Sequence, residues 1–298
     1  MSQRVATIDL GSNSCVLLVL ESVEDRVVRV TSDVALTRLS EGLDASGVLS
    51  DAAMDRSLKA LGRFAARARA LGASSIHAVG TAALREASNQ EIMIKAAHDL
   101  GINLRPITGL EEASLSFAAA QYGSAGPCLM IDIGGASTEL AWGGDQGFEG
   151  RASLSVGSVR LTERLGLKAP MDADQSEQLM AACRDVFQQA PSAIDAPLVA
   201  VAGTATTAAQ LYLGLSGYDP DLLDQQVLGY EALLAMYNEL CACSVQERMQ
   251  EWYLSEGRAD VFPAGLALLI TALESYQQDR LVVRDRGVAW GEGLRHFS

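Results

Sequence analysis

One short pattern occurs twice in the chain, around Asp9 and around Asp132. Each copy follows an aliphatic run and reads acid, aliphatic residue, glycine, two small residues and serine, as in IDLGSNS and IDIGGAS. A buried strand that ends in polar and glycine residues is expected to turn back on itself as a hairpin. Two such hairpins in one chain indicate an internal duplication, and therefore a fold built from two related halves.

Composition and charge narrow the class of protein. The chain has 298 residues, of which 49% are hydrophobic and 20% charged, so a substantial core is expected. Its net charge of −14 argues against nucleic-acid binding, which needs a basic surface. The longest apolar run, 262–273, is too short for a membrane span of roughly 20 residues. No signal peptide is visible and the five cysteines fit neither a disulfide framework nor a zinc site, so a cytoplasmic protein with buried or incidental thiols is predicted.

Strand and helix patterns alternate through both halves, which predicts an α/β fold with mixed sheets and two lobes that flank an interdomain cleft. The first lobe is assigned to residues 1–122 and the second to 123–298, because the Gly/Ser/Pro stretch 122–127 is the best candidate for a boundary. Ser50 is predicted to cap a long helix. From about Tyr230 the chain is predicted to be mostly helical, and its terminal helix is expected to cross back to the first lobe.

The repeated turn has the composition of a phosphate cradle. Glycine lets backbone N–H groups approach a ligand closely and take positive φ, and neighbouring hydroxyls add donors. The acid beside the turn can hold a divalent cation. A third Gly-Thr turn opens a helix after a buried strand and presents further N–H groups. The alternative is that each turn is a tight polar hairpin without a ligand. The predicted phosphate-binding residues of these turns are Gly11, Ser12, Asn13, Ser14, Gly134, Gly135, Ser137, Thr138, Gly203 and Thr204.

The chain resembles the exopolyphosphatase/guanosine pentaphosphate phosphohydrolase (Ppx/GppA) family, in its short two-domain form, in five segments that keep the family's order and spacing. These are GTAALREASN (80–89), ITGLEEASLSF (107–117), MIDIGGASTEL (130–140), SVGSVRLTERL (155–165) and GRADVFPAGLALL (257–269). The resemblance covers essentially the whole chain. It implies the two-lobed, actin-like (ribonuclease H-like) fold that the glycine turns also suggest.

This resemblance implies a Mg²⁺-dependent hydrolase that removes the terminal phosphate of a phosphoanhydride. Inorganic polyphosphate is the first substrate expected, because exopolyphosphatase is the broader family activity. Three alternatives stay open: a guanosine pentaphosphate 5′-phosphohydrolase, a nonhydrolytic sensor that binds guanosine tetra- or pentaphosphate, and a sugar or acetate kinase on the same fold. A homodimer is also expected from the resemblance.

Single residues receive roles from the same resemblance. Glu112, the second acid of the Glu-Glu-Ala motif, is expected to be the general base that orients or deprotonates the attacking water. Glu111 points about 100° away on a helix, so only one of the two acids can face the cleft. Arg85 is expected to bind phosphate oxygens through its planar guanidinium. The acids expected at the Mg²⁺ are Asp9, Asp132 and Glu139.

Each role has a structural alternative. Two adjacent acids near a helix start can simply complement the helix dipole. Arg85 can be a surface arginine, and Glu139 can face solvent. Arg258 is expected to contact substrate, yet it can instead pair with Glu256 or Asp260.

Two further features are particular to this chain. Ala136 occupies a position where the family usually has glycine, and its Cβ disfavours positive φ, so αR or β backbone is expected there. The helix after Ser50 carries a basic stripe, which is either a guide for a polyphosphate chain or a solvated face. The stripe consists of Arg56, Lys59, Arg63 and Arg67.

Overall fold

A computed structural model describes residues 3–24, 26–192 and 194–297 of the chain. They divide into two units, each with its own hydrophobic core. Unit 1 runs through Leu115 and resumes at Val288, and unit 2 comprises Ser116–Gly287.

Unit 1 begins with the predicted hairpin and continues as alternating strands and helices. In chain order its elements are β1 (Arg4–Leu10), β2 (Ser14–Val23), β3 (Arg26–Leu36), α1 (Leu43–Ser46), α2 (Asp51–Ala70), β4 (Ser75–Gly80), α3 (Ala82–Glu86), α4 (Gln90–Asp99), β5 (Asn103–Pro106) and the start of α5 (Gly109–Gln121). Ser50 caps α2 as predicted, since its side chain accepts a hydrogen bond from the Ala53 N–H. The buried face of α2 packs on the sheet through residues such as Leu61 and Phe64.

Unit 2 repeats the strand–hairpin–helix pattern and adds a large helical part. Its elements are β6 (Cys128–Ile133), β7 (Thr138–Gly144), β8 (Gly147–Leu154), α6 (Ser158–Leu165), α7 (Ala173–Gln188), β9 (Leu198–Val201), α8 (Ala202–Tyr212), α9 (Pro220–Leu223), β10 (Val227–Gly229), α10 (Tyr230–Ala242), α11 (Val245–Gln250), α12 (Phe262–Ser275) and β11 (Arg280–Val283). Helix α12 is apolar on all sides and residues 262–273 are buried, so it forms the centre of the core of unit 2.

The last helix, α13 (Val288–Leu294), belongs to unit 1 although it follows unit 2 in the chain. Thr7 Oγ1 of β1 donates a hydrogen bond to the Ala289 carbonyl at 2.8 Å. Gly293 packs so closely on Leu20 that a Cβ there would lie 2.4 Å from the leucine side chain. Unit 1 is therefore assembled from two segments far apart in sequence.

The two sheets share a strand order. In unit 1 the order is β3-β2-β1-β4-β5, and in unit 2 it is β8-β7-β6-β9-β11-β10. In each, three antiparallel strands are followed by two strands parallel to the first, and unit 2 adds β10, which is antiparallel to its neighbour β11. Both sheets are mixed, which confirms the predicted α/β class. The repeated topology is what an internal duplication would produce.

The division between the units differs from the predicted boundary. It falls between Leu115 and Ser116, inside α5, and not after residue 122. The 122–127 stretch has the composition of a linker, but unit 2 holds it firmly. Arg284 donates to the Tyr122 carbonyl at 3.3 Å, and the Gly126 N–H donates to Asp145 at 2.8 Å. These turn residues form a fixed loop.

Two expectations from composition can be compared with the described residues. Among them, no helix combines the length and the apolarity that a membrane crossing requires. All five cysteines are free thiols, and four of them are buried, as predicted. Burial raises the pKa of the Cys183 thiol to about 12, which keeps it protonated and unreactive.

Candidate functional site

The two glycine turns close with the same hydrogen bond. The Gly11 N–H donates to the Ser14 carbonyl at 2.9 Å, and the Gly134 N–H donates to the Ser137 carbonyl at 3.0 Å. A Cβ at these glycines would lie 2.8 Å and 3.1 Å from the same two carbonyl oxygens. Glycine is therefore required for close approach. Gly11 and Gly134 do not have positive φ, and neither does Gly135, so the predicted positive φ at these turns was wrong.

In the second turn the carbonyl oxygens point toward the start of α6. Gly134 O accepts from the Ser158 N–H and Gly135 O from the Arg160 N–H, both at 3.0 Å. The buried Arg160 guanidinium donates to Ala136 O at 2.7 Å. Gly157 allows this packing, because a Cβ there would lie 2.5 Å from the Gly135 carbonyl. Bonds to the carbonyl oxygens of residues 134–136 therefore hold the turn on α6.

The donor side of the same turn is unused. Within the described residues, the N–H groups of Gly135 and Ala136 donate no hydrogen bond. Ala136 is only 2% exposed, and a buried N–H without an acceptor is costly. An anion at this turn would supply the acceptors. Ala136 does not have positive φ, so its Cβ is accommodated without backbone strain, as expected.

Two hydroxyls assigned to phosphate binding serve the backbone instead. Thr138 Oγ1 donates to the Val156 carbonyl at 2.8 Å, and Thr204 Oγ1 donates to the Ile133 carbonyl at 2.9 Å. Each proton is used inside the protein, which leaves only lone pairs that would repel an anion. These threonines support the second turn, and Ser137 is buried beside them.

Asp132 and Glu139 face each other directly below the second turn. They are paired residues of the antiparallel strands β6 and β7, so their side chains share one face of the sheet. Both are buried, at 4% and 0% exposure, which rules out the solvent-facing alternative for Glu139. Ser116 Oγ donates to Asp132 at 2.7 Å and Ser153 Oγ donates to Glu139 at 2.8 Å. Burial raises the pKa of Asp132 to about 6, although the Ser116 bond lowers it.

This acid pair fits a Mg²⁺ ion. Mg²⁺ is usually held by one or two carboxylates, with waters and phosphate oxygens completing its shell. A cation would also relieve the cost of burying two carboxylates on paired residues of adjacent strands. The structure gathers no group of three or more acidic, histidine or cysteine side chains around one point among the residues it describes. The predicted set of three acids is therefore represented by a pair in unit 2.

The first turn is held by a different segment. Asn13 O accepts from the backbone N–H groups of Thr37 and Arg38, at 3.0 Å and 2.9 Å. Ser12 O accepts from the Ser40 N–H at 3.0 Å. Asp9 lies at the end of β1 and is half-buried. Ser14 begins β2, so the four predicted residues 11–14 do form one continuous turn.

Glu112 and Arg85 lie together in unit 1. The carboxylate of Glu112 is buried, and Arg85 Nη1 lies 3.5 Å from it while donating to the Ile107 carbonyl at 2.7 Å. Glu111 turns the other way and pairs with Arg105 and Arg295, each at 2.9 Å. The two adjacent acids are thus separated as the helix geometry predicted. Glu112 lies beside one cation, Arg85, whereas Glu111 lies between two, Arg105 and Arg295.

Arg258 and the third turn meet at the start of α8. Arg258 donates to Thr207 Oγ1 and to the Gly203 carbonyl, so it turns toward α8 and away from the two acids considered as its partners. Gly203 is needed there, because a Cβ would lie 2.8 Å from the guanidinium. Burial lowers the pKa of Arg258 to about 10, so it stays charged at neutral pH. Ala202 has φ of +63°, a strained value at this junction that the sequence did not suggest.

The basic stripe of α2 is largely neutralised. Arg56 pairs with Glu41 at 2.7 Å, Lys59 with Asp55 at 2.6 Å, and Arg67 with Asp33 at 2.7 Å. Arg63 lies over the Phe64 ring. Paired cations attract a distant anion weakly, so the structure favours the solvated-face interpretation over a guide for substrate.

Three supporting residues escaped the sequence argument. They are Ser116, Ser153 and Arg160, which hold Asp132, Glu139 and the second turn. Ser153 is paired with Glu139 in the β7–β8 hairpin, so a register argument could have found it. Arg160 carried no such signal, because its contact with Ala136 depends on where α6 begins.

Two mixed sheets that share an order of five strands, each with a glycine turn in its first hairpin, define an actin-like α/β protein. The Ppx/GppA phosphatase family matches residues 18–296, and the chain belongs to that family. This confirms the resemblance carried by the five motifs.

Curated relatives are longer than this chain. The guanosine-5′-triphosphate,3′-diphosphate pyrophosphatase of Vibrio vulnificus is 32% identical, and the alignment covers 98% of this chain and 58% of the relative. The protein of the same name from Vibrio cholerae is also 32% identical, with 99% and 60% covered. The chain thus spans less than two thirds of the length of these relatives.

Solved structures match over the full length. The crystal structure of an exopolyphosphatase-like protein is 29% identical, with a TM-score of 0.91 and coverage of 99% of this chain and 98% of the other. The Aquifex aeolicus member of the Ppx/GppA family is 25% identical, with a TM-score of 0.83 and the same coverage. The fold is therefore that of the family.

Proposed function

We propose that the protein hydrolyses the terminal phosphoanhydride of guanosine pentaphosphate and releases orthophosphate. The names of the curated relatives support this substrate. They reverse the order of preference drawn from the sequence, in which polyphosphate came first. Family membership supports the reaction class.

One observation carries the proposal most directly. Contacts to its carbonyl oxygens hold the second turn on α6, while among the described residues nothing accepts from the N–H groups of Gly135 and Ala136, and two buried carboxylates lie on the strands that the turn joins. Phosphate oxygens would satisfy these N–H groups. A divalent cation on Asp132 and Glu139 would make a phosphate bound there favourable despite the acids.

The residues of unit 1 would supply the chemistry of water attack. Glu112 would accept a proton from the attacking water or orient it. Arg85, whose guanidinium lies 3.5 Å from that carboxylate, would bind an oxygen of the terminal phosphate. The same ion pair would fix the direction of the Glu112 carboxylate before substrate arrives. Mg²⁺, when bound, would neutralise charge on the phosphate oxygens. The first turn, residues 11–14, would hold a neighbouring phosphate.

Inorganic polyphosphate is the second candidate substrate. It is supported by the close structural match to an exopolyphosphatase-like protein. Both substrates end in the same phosphoanhydride, so the residues above would serve either one. Neutralisation of the α2 stripe removes one argument for a long polyanion.

The test is phosphate release with Mg²⁺ from guanosine pentaphosphate, short polyphosphate and long polyphosphate, with Glu112→Gln beside the wild type. We expect release from guanosine pentaphosphate and a kcat at least roughly 100-fold lower in Glu112→Gln, since the amide cannot accept a proton. Glu91→Gln is the matched control, because it makes the same change at an exposed acid in the first turn of another helix of unit 1, α4. Equal loss in both variants would contradict the assignment of the base.

Other outcomes identify the remaining alternatives. Tight binding of guanosine tetraphosphate without phosphate release from any substrate would indicate the nonhydrolytic sensor. Transfer of the phosphate to a sugar or acetate, with a nucleoside diphosphate as product, would indicate a kinase. The expected homodimer stays a prediction, which sedimentation equilibrium would check.

A further inference from the structure

Four charged side chains of unit 1 form a closed ring. Arg105 lies 2.9 Å from Glu111, which lies 2.9 Å from Arg295. Glu292 completes the ring, at 3.4 Å from Arg295 and 3.0 Å from Arg105. Charges alternate around the ring, so each acid contacts two arginines and each arginine contacts two acids. Such a network fixes side-chain directions better than an isolated pair.

The ring ties three elements together. Arg105 is on β5, Glu111 is in the first turn of α5, and the other two residues are at the end of the chain, in α13 and directly after it. Glu292 is 5% exposed and also lies 3.7 Å from His296, whose ring stacks on that of His77 at 3.8 Å. The buried acid therefore contacts two arginines and one histidine.

A second contact joins the same two helices. Gly291 of α13 packs against the backbone of Leu115, where a Cβ would lie 2.1 Å from the Leu115 carbonyl oxygen. Leu115 is four residues after Glu111, and Gly291 is four residues before Arg295. Helices α5 and α13 thus touch at two levels one helical turn apart. Two such contacts fix the rotation of α5 about its own axis.

That rotation decides where Glu112 points. Adjacent residues of an α-helix are separated by about 100°, so holding Glu111 in the ring sets the direction of Glu112. At this end of α5 the Glu111 N–H also donates to Thr108 Oγ1 at 3.1 Å, the Glu112 N–H donates to the Thr108 carbonyl at 2.9 Å, and Arg85 lies 3.5 Å from the Glu112 carboxylate.

We propose that Arg295 and Glu292 are positioning residues for the reaction, and that they act through Glu111 to aim the Glu112 carboxylate. This inference rests on the proposed function, in which Glu112 serves the attacking water. It assigns a catalytic consequence to the helix that closes unit 1, and it predicts a defect in turnover without a defect in substrate binding.

Arg295→Met is the variant of choice, because its side chain is 46% exposed and its loss costs little stability. A misplacement of about 1 Å can cost roughly 100-fold in rate, and Arg105 still holds Glu111 in this variant, so we expect kcat about tenfold lower. KM should change less than about twofold, because no substrate contact is removed. Arg295→Lys, which keeps the charge, should recover most of the lost kcat.

Arg184→Met is the matched control. The Arg184 side chain is 53% exposed and pairs with Glu274. The Glu274 side chain is 30% exposed, the same fraction as that of Glu111. We expect wild-type kcat and KM for this control. Thermal unfolding of both variants should fall within a few degrees of the wild type.

The outcomes separate the inference from the function it rests on. If the wild type is active and Glu112→Gln is not, yet Arg295→Met keeps full kcat, positioning is refuted and the proposed function stands. A KM defect in Arg295→Met, or an equal kcat loss in Arg184→Met, also refutes positioning. If the wild type releases no phosphate, or Glu112→Gln keeps full turnover, the proposed function itself fails.

Discussion

The two glycine turns start from one sequence pattern and close with the same hydrogen bond, but their surroundings differ. The first turn is held by backbone N–H groups from residues 37–40, and its acid, Asp9, is half-buried. The second turn is packed on α6 and braced by the buried side chains of Arg160 and Thr204, and its acid is almost completely buried opposite a second carboxylate.

The difference shows what the pattern does and does not determine. Asp-x-Gly with small residues determines the hairpin, because only glycine fits the close approach at its third position. The elements packed around the hairpin determine its electrostatics. The copy of the motif in unit 2 is therefore rigid and poorly solvated, and the copy in unit 1 is more solvated.

Gly157→Ala should disrupt the packing of the second turn on α6. It is expected to have the largest effect of the three substitutions considered for this turn. The new Cβ would lie 2.5 Å from the backbone of Gly135, which α6 prevents from moving away. We expect a loss of about 3 kcal/mol in the free energy of unfolding, measured by denaturant titration. Gly217→Ala is the control, because a Cβ there has open space. Equal stabilities of the two variants would show that the second turn is as adaptable as the first.

Asp132→Asn should stabilise the protein at high pH in the absence of Mg²⁺. Folding raises the pKa of Asp132 from 3.8 to about 6, so its ionisation above pH 6 costs folding free energy. At pH 8 the amide should be more stable than the wild type by about 2 kcal/mol. This advantage should shrink as pH falls from 6 toward 4, where the wild-type carboxyl is protonated in the folded state and increasingly in the unfolded state.

Denaturant unfolding at several pH values measures that effect. Added Mg²⁺ should stabilise the wild type more at pH 8 than at pH 5, since the cation requires an ionised carboxylate, and should stabilise Asp132→Asn less at both. A stability difference that is the same at pH 4 and pH 8 would mean that charge burial is not its cause.

Ala136→Gly should have the smallest effect. Ala136 has no positive φ, so glycine relieves no strain and only adds freedom to the unfolded chain. We expect a loss of about 0.5 kcal/mol in stability and phosphate release within about twofold of the wild type. Asn13 is the matching position of the first turn. A large gain in activity in Ala136→Gly would instead mean that the alanine restricts the second cradle.

Much of the fold followed from local patterns. The two glycine hairpins and the Ser50 cap carry local sequence signals, and the structure contains all of them. Strand β11 lies in the region after Tyr230 that was predicted to be mostly helical, and β10, which ends just before Tyr230, was not predicted either. Both are short, and β11 exists because it pairs with the distant β9, a contact that no local pattern encodes.

The same distinction between local patterns and long-range contacts applies to the candidate site. The expected roles of Glu112 and Arg85 came from the family resemblance, and the glycine turns were recognised from their repeated pattern. The use of Thr138 and Thr204 as backbone donors was not, because a hydroxyl beside a turn has the same sequence signature whether it faces a ligand or a carbonyl. The ring around Glu292 depends on bringing together residues 187 positions apart.

The return of α13 to unit 1 also bears on the order in which the chain folds. Unit 2 is one continuous segment and can complete its core as soon as residue 287 is available, whereas β1 must wait for a hydrogen-bond partner 282 residues later. Domains usually fold in the order in which they are synthesised. Here β1 is synthesised before unit 2 but is expected to complete its contacts after it. During synthesis the sheet of unit 1 therefore stays exposed to chaperones until α13 has left the ribosome.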